Sequence, residues 1–379
     1  MNVALLGFGT VGVGVYELLK NQKNINVKYV LDIKIHNDIS AISTTDFNDI
    51  LNDETVDTVV EVIGGLHPAY EFVSKSLSKG KNVISANKFL ISTFYKELSS
   101  LATKNNVAFR YTAAVGGGIP WLVNLERVKR IAMVDAVYGI MNGTSNFILD
   151  SMHTGALSFE TALCEAQKLG YAESDPSADI DGLDTLCKVV LSANIAFSKA
   201  VVKDEASVVG IRDISSADID VCESLNCVCR LMAHANKNEN SVSVYVEPEF
   251  VSNQKPEATV KQNLNMISFD AQYVGRESFY GFGAGRYPTA YTVVGDCVDI
   301  ANGTNSLYNN VFEPTAVDNS ACVHKYYVNT DFKDGWFENL KKEATSAGVI
   351  TEPVSVKDMH DFVKRAKENN FKCFVAAVL

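Results

Sequence analysis

Five acidic residues and one lysine crowd into residues 170–188, GYAESDPSADIDGLDTLCK, where an acidic loop runs into an apolar helix. Such a frame suits a small substrate that carries its own charges. Glu173, Asp175, Asp179 and Asp181 occupy the loop, which Pro176 stiffens. The helix is predicted to begin near Asp181, a side chain able to accept from free first-turn amides. Asp184 and Lys188 fall four residues apart, one above the other on a helix face. Leu183, Leu186, Val189, Val190 and Leu191 supply the apolar remainder that buries the helix. A carboxylate and an ammonium facing one cleft would grip a charged substrate and move a proton. The same spacing describes a solvated salt bridge worth about 0.3–0.5 kcal/mol, and spacing alone leaves both readings open.

The elements that must position this chemistry begin at the first residues. Residues 3–7, VALLG, read as a buried strand, followed at once by GFGTVG and the helical run VGVGVYELLKNQ. Gly7, Gly9 and Gly12 keep the spacing of a dinucleotide-binding turn: a tight bend, a close backbone approach to pyrophosphate, and close helix–strand packing, with the phosphates on the helix N-terminus. A second strand, NVKYVLD, ends at Asp32, twenty residues after Gly12, where a carboxylate can accept from an adenosine ribose hydroxyl. That favours NAD, while Lys34 keeps a 2′-phosphate, and so NADP, open. TVVEVIGG (58–65) reads as a strand, PAYEFVSKSLSKG (68–80) as a helix and NVISANK (82–88) as the next strand. This alternation predicts an α/β fold with a parallel, doubly wound, Rossmann-like sheet. Ligands of such sheets sit beyond the carboxyl ends of the strands, where Gly7, Asp32, Gly64, Ser85, Asn87 and Lys88 all fall.

Composition narrows the class. The 379 residues suggest two or three domains, and 47% hydrophobic content is ordinary for a globular protein. No stretch is apolar and long enough to span a membrane. The opening strand leaves no room for a basic and apolar leader, so the expected location is the cytoplasm. Eight scattered cysteines read as reduced thiols, since Cys222, Cys227 and Cys229 lack a second pair or histidines at zinc spacing. The isolated histidines suggest neither a metal site nor a triad. A net charge of −11 argues against nucleic acid or an anionic membrane as partner.

Two further stretches carry glycine and hydroxyl groups. FRYTAAVGGGIP (109–120) leads through Gly116–Gly118 to Pro120 at a helix start. AVYGIMNGTSNFILDSM (136–152) reads as a strand entering Asn142-Gly143-Thr144-Ser145 and a helix. Its hydroxyls and amides serve either as caps or as contacts to a ligand carboxylate.

GFGTVG, SANK (85–88), AAVGGGIP (113–120), GIMNGTSNFIL (139–149), GYAESDPSADIDGLDTLCK and GFGAGRYPTAYTVVGD (281–296) together give the chain a clear resemblance to the homoserine dehydrogenases over about residues 1–305. The resemblance implies an NAD(P)-binding domain at 1–118, completed by 281–310, and an α+β substrate-binding and dimerisation domain at 119–280. It implies reversible oxidation of L-homoserine to L-aspartate 4-semialdehyde in threonine and methionine biosynthesis, by a homodimer or higher homo-oligomer. The family's substrate contacts fall on Glu173 and Asp184, its general acid/base on Lys188, and a second lysine near the nicotinamide on Lys88. A buried lysine can shuttle the proton that must leave or reach the substrate oxygen as hydride moves. Cofactor contacts fall on Phe8, Thr10, Val11, Gly64 and Gly285 beside the glycines already named. A sodium ion held by carbonyls corresponds to Thr112, Val115, Gly117 and Ile119, with Thr112 standing where the family has glutamate.

Leu31 replaces the arginine common before the acidic residue of the second strand, which adds weight to NAD. Ser174 and Ser177–Ala178 also depart from the family's acidic loop. Residues 320–379 lie beyond the minimal enzyme and read as strand KYYVNT, helix WFENLKKEATSAG, a strand near VITEPVS, helix VKDMHDFVKRAKENN and strand FKCFVAAVL. That order resembles a shortened ACT-type domain, with an oligomerisation element as the plainer reading. Two other functions compete: a thioester-forming aldehyde dehydrogenase, which needs an activated cysteine that Cys164 and Cys187 in helical patterns do not supply, and a nucleotide-binding amino-acid sensor without turnover.

Overall fold

A computed structural model describes residues 1–304 and 312–379. The chain divides into two compact units: Met1–Ile131 with Asn194–Ala200 and Phe282–Pro314, and Ala132–Ala193 with Val201–Gly281 and Thr315–Leu379. The short strands β8 (Ala200–Val201) and β14 (Pro314–Thr315) lie where the chain passes from one unit to the other.

The first unit alternates strand and helix. Its strands are β1 (Asn2–Leu6), β2 (Asn26–Leu31), β3 (Ser43–Thr44), β4 (Thr58–Glu61), β5 (Asn82–Ser85) and β6 (Phe109–Arg110). Its helices are α1 (Thr10–Leu19), α2 (Phe47–Leu51), α3 (Ala69–Ser78), α4 (Lys88–Lys104), α5 (Trp121–Lys129) and, late in the chain, α11 (Arg286–Ala301). The strands pair in the order β3-β2-β1-β4-β5-β6, and every described pairing is parallel. That is the doubly wound dinucleotide-binding order, with the reversal between β1 and β4. Val3, Leu5, Val30, Val60 and Ile84 from the strands bury against Val15 and Leu19 of α1 and Ala290 and Val293 of α11. Gly14 permits this packing, since a Cβ there would sit 3.1 Å from Ala290 Cβ. α11 is tied to β6 by Arg110, fully buried, whose guanidinium bonds Asp296 at 2.9 Å and Asp299 at 2.5 Å. So α11 completes the first unit; residues 305–310 of the expected return lie outside the described residues.

The second unit is built on an eleven-stranded sheet. Its helices are α6 (Gly143–Gly155), α7 (Phe159–Lys168), α8 (Ser177–Ile180), α9 (Leu183–Phe197), α10 (Ser216–Ser224), α12 (Gly335–Glu338) and α13 (Val356–Glu368). Its strands are β7 (Val134–Ile140), β9 (Ser207–Val208), β10 (Cys227–Lys237), β11 (Val242–Ser252), β12 (Leu264–Ala271), β13 (Gly275–Phe282), β15 (Val323–Thr330), β16 (Lys342–Ala344), β17 (Val349–Thr351), β18 (Val354–Ser355) and β19 (Cys373–Val378). The main path runs β13-β12-β7-β10-β11-β19-β15-β17-β16. β10 and β11 pair antiparallel from Cys227–Ser252 to Lys237–Val242, and this long hairpin is the spine of the sheet.

The C-terminal residues extend that same sheet, because β19 lies between β11, parallel, and β15, antiparallel. α13 covers it, with Met359, Phe362 and Val363 packed on Tyr326, Val328 and Val375. One element differs from the sequence reading. WFENLKKEATSAG forms only the single-turn α12, followed by the antiparallel pair β16–β17. Asp334 caps α12 through the amides of Trp336 and Phe337. Thr345 and Gly348 close the hairpin, their amides donating to Gly348 O and Thr345 Oγ1. Cross-strand pairing with Val349–Thr351 outweighs the local helix propensity of LKKEA.

Candidate active site

In the first unit, a candidate dinucleotide cradle grows from the β1–α1 turn. Gly7 adopts φ +98°, which only glycine takes without strain, and a Cβ on Gly12 would lie 2.1 Å from Gly7 O. Around Gly9 a Cβ would meet no atom within 4 Å, so the backbone there is open to close approach. Gly9 is also the N-cap of α1 and offers no side-chain cap, and the first turn, beginning Thr10-Val11, holds no acidic residue. The free amides and the helix dipole at that end suit the pyrophosphate of a dinucleotide.

Asp32 follows β2 at the carboxyl edge of the sheet. Its Oδ1 accepts from the Ile33 amide at 2.7 Å, and its Oδ2 accepts from the Phe8 amide at 3.2 Å and pairs with His36 Nε2 at 2.8 Å. Burial acts to raise its pKa, but the His36 contact and the two amides outweigh it and hold the carboxyl below its usual range. Asp32 is therefore held as an anion at the carboxyl edge of the sheet. Lys34 lies on the surface.

At the ends of β4 and β5, Glu61 is fully buried and accepts from the Ser85 hydroxyl at 2.5 Å, the Ile63 amide at 2.8 Å and the Gly64 amide at 3.3 Å. Burial pushes its pKa above the usual carboxylate range. This residue was missed in the sequence, although a charge inside the apolar run TVVEVI is a readable signal. Ser85 also accepts from the Asn87 amide at 3.1 Å. Asn87 caps α4 at the Leu90 amide, 3.1 Å, and donates to Gly65 O at 2.6 Å. Lys88 is thus the first residue of α4 rather than the end of a strand, with Nζ 5.1 Å from the centroid of Phe89. Gly285, with φ +124°, is the N-cap of α11.

The carbonyls expected around a sodium ion are partly engaged. Gly117 O accepts from the Thr292 hydroxyl and Ile119 O from the Trp121 amide, both at 2.7 Å, and Thr112 O accepts from the Val115 amide at 3.5 Å. The set, which Val115 O completes, consists of four neutral carbonyl oxygens, a donor type that a hard cation accepts.

A second cluster is built where β7 runs into α6. Lys188 Nζ reaches Asp184 Oδ2 at 2.7 Å and the Met141 carbonyl at 2.7 Å, and both side chains are 8% exposed. The pair is buried, which rules out the solvated surface bridge. Asn142 locks it: Oδ1 caps α6 at the Ser145 amide, 2.7 Å, while Nδ2 donates to Asp184 Oδ2 at 2.8 Å and to Asp179 Oδ1 at 2.6 Å. Leu186, Val189, Val190 and Leu191 are buried as expected, whereas Leu183 is 43% exposed.

Other expectations for this region are corrected. α9 starts at Leu183, past Gly182 at φ +80°. Asp181 caps nothing there; it takes the Arg212 guanidinium at 2.8 and 2.7 Å. Thr144 spends its hydroxyl on Tyr171 O at 2.6 Å, and Ser145 spends its own on Asn142 O at 3.2 Å, so both serve the backbone. Glu173 is exposed, and its carbonyl accepts from the Gln167 side chain at 3.1 Å. Asp184 and Lys188 are brought together; no described hydrogen bond joins Glu173 to them.

Two family models match this chain, the homoserine dehydrogenase NAD-binding domain over residues 7–112 and homoserine dehydrogenase over residues 120–298. The homoserine dehydrogenase of Lactococcus lactis is 34% identical over 378 residues, covering 93% of this chain and 88% of its own. That of Corynebacterium glutamicum is 35% identical over 360 residues, covering 88% and 80%. The crystal structure of a homoserine dehydrogenase from Thiobacillus denitrificans superposes with a TM-score of 0.86 at 29% identity, covering 100% of this chain and 98% of that one. The chain belongs to the homoserine dehydrogenase family. It is an NAD(P)-dependent oxidoreductase that interconverts L-homoserine and L-aspartate 4-semialdehyde. The first unit carries the glycine turn suited to a dinucleotide, and the second unit carries the buried Asp184–Lys188 pair. None of the described helices is long and apolar enough to cross a membrane.

Proposed function

We propose that Lys188 is the general acid and base of this reaction and that Asp184, with Glu173, holds the substrate ammonium. The observation that carries the reading is the buried Asp184–Lys188 pair, fixed by Asn142 and the Met141 carbonyl. The bound dinucleotide, when present, takes or supplies the hydride. In the oxidation direction the Lys188 amine takes the proton of the substrate hydroxyl as that C–H bond gives up hydride and the carbonyl forms. In reduction the ammonium returns the proton to the carbonyl oxygen as hydride arrives. Asp184 orients the lysine between turnovers, and Met141 O prevents its Nζ from swinging away. Lys88, fixed at the N-terminus of α4 by the Asn87 cap, serves orientation near the nicotinamide. Gly7, Phe8, Gly9, Thr10, Val11, Gly12, Gly64, Ser85 and Gly285 line the dinucleotide, and Asp32 accepts its adenosine ribose hydroxyls, favouring NAD over NADP.

We assign the cofactor to the first unit, homoserine to the second, the activity to the cytoplasm, and a homo-oligomer as the working form. Support for self-association comes from β13, an edge strand with Tyr280 54% exposed. Light scattering on the purified chain reads the oligomer directly.

The test of the chemistry follows cofactor reduction by its near-ultraviolet absorbance with L-homoserine and NAD or NADP. Lys188→Ala is expected to lower kcat by about 10²–10⁴-fold, the usual worth of a positioned acid or base. Asp184→Ala is expected to raise KM for homoserine as well as lower kcat. Wild-type rates in Lys188→Ala would remove the lysine from the mechanism.

A further inference from the structure

His36 is neither a glycine-loop residue nor one of the residues matched to the family's substrate contacts. It stands four residues beyond Asp32, in the loop that follows β2. Its Nε2 lies 2.8 Å from Asp32 Oδ2, its amide donates to Ser43 Oγ at 3.1 Å, and its ring meets the Phe8 ring edge-on at 4.8 Å. Its side chain is 19% exposed, while its neighbours Ile33 and Ile35 are 94% and 48% exposed. The loop thus turns its apolar residues out and its imidazole in, toward the glycine loop and the second-strand acid.

We infer that His36 is a positioning residue that sets the preference for the non-phosphorylated dinucleotide by holding the Asp32 carboxylate in place. The inference rests on the reading that Asp32 accepts the adenosine ribose hydroxyls. The Oδ2 oxygen already carries two contacts, from the Phe8 amide and His36, whereas Oδ1 carries only the Ile33 amide. Oδ1 is the oxygen with the more open acceptor capacity for a hydroxyl. A 2′-phosphate in the hydroxyl's place would bring nearly two negative charges against a carboxylate that is partly withdrawn from water. Asp32 can relieve that repulsion only by rotating about its side-chain bonds, and rotation breaks the His36 contact. Without the imidazole, Asp32 swings toward solvent, the ribose loses a fixed acceptor, and the 2′-phosphate loses a fixed repeller. The exposed Lys34 then supplies an attractive charge nearby. Selectivity here arises from a rigid unfavourable contact as much as from an attractive one.

Titration calorimetry of NAD and NADP against the full-length protein, alongside kcat and KM for each, tests this with three variants. His36→Phe keeps a ring for Phe8 but removes the donor. It is expected to lower the NADP-to-NAD ratio of Kd about tenfold, the scale of one charge-assisted hydrogen bond, with kcat within about twofold of wild type. His36→Gln places an amide nitrogen at the distance of Nε2 and is expected to keep the ratio within about threefold of wild type. Asp32→Asn is expected to collapse the ratio by more than either. Should His36→Phe fail to fold, His36→Asn, whose shorter amide falls short of Asp32, replaces it. An unchanged ratio in the donor-less variant, with Asp32→Asn still collapsing it, overturns the role of His36 alone. A ratio kept by His36→Phe but lost by His36→Gln assigns the residue to packing and overturns the proposal. An unchanged ratio in Asp32→Asn overturns the ribose reading beneath it.

Discussion

Single side chains in the second unit divide their work by which partner each atom meets. Lys188 gives Nζ to a carboxylate and a backbone carbonyl with its side chain buried, so removing Asp184 leaves a buried cation with one neutral partner; losses of about 3–5 kcal/mol accompany such half-broken pairs. His153 shows how partner geometry sets protonation. Its Nε2 accepts from the Cys229 amide at 2.8 Å while Nδ1 faces Glu223 at 3.0 Å, so the ring fits as the neutral form with the proton on Nδ1. Burial first, then the Arg230 charge, pulls its pKa below the usual 6.5 against the opposing pull of Glu223. The unfolded chain therefore binds this proton more readily than the folded one, and stability is present above about pH 6.5 and lost as pH falls toward the folded value. The slope for one such group is at most about 1.4 kcal/mol per pH unit. Urea unfolding from pH 7 to 5 is expected to show a shallower acid decline in His153→Gln than in wild type; equal slopes would detach His153 from the acid limb.

At the scale of elements, the β7–α6 junction combines a helix cap with support for the buried Asp184–Lys188 pair. Asn142 satisfies the Ser145 amide with its oxygen and holds Asp179 and Asp184 with its nitrogen, so helix start and buried pair share one side chain. Asn142→Ala is expected to cost about 1–2 kcal/mol through the lost cap and to raise KM for homoserine. Asn142→Asp keeps the cap oxygen but turns a third carboxylate toward Asp179 and Asp184. Near-normal stability of the fold with a severe loss of kcat/KM in that variant is the expected signature, read by thermal denaturation beside steady-state kinetics. The strand itself is held close by Gly139, where a Cβ would lie 2.2 Å from Met266 O on β12.

For the whole molecule, the placement of β19 decides what the C-terminal residues are for. The strand fills the sheet between β11 and β15, and buried Tyr326 donates its hydroxyl to fully buried Glu247 of β11 at 2.9 Å. His360 of α13 reaches the same Glu247 oxygen at 2.9 Å. Truncation after residue 318 would strip the cover from β11 and leave Glu247 without either partner. The truncated chain is expected to be insoluble or to unfold well below wild type in a thermal scan, whereas a separable appendage would leave the remainder folded and active.

The dinucleotide fold was legible because its signals are local. Gly7, Gly9 and Gly12 with their flanking strand and helix state a backbone conformation that few other residues permit, and strand–helix alternation fixes a parallel sheet. Asp184 and Lys188 were legible as a pair because helical spacing alone brings them together. What tertiary structure decided is everything that depends on residues far apart in the chain: that the pair is buried, that Asn142, forty-two residues before Asp184, orients it, and that His36 rather than Lys34 attends Asp32. It also decided that Lys342–Ala344 pair as a strand instead of coiling, since the hydrogen bonds of a sheet edge come from a partner strand and outweigh a helix preference worth only tenths of a kcal/mol per residue. Spacing along the chain carries local geometry; burial and partner choice are properties of the folded whole.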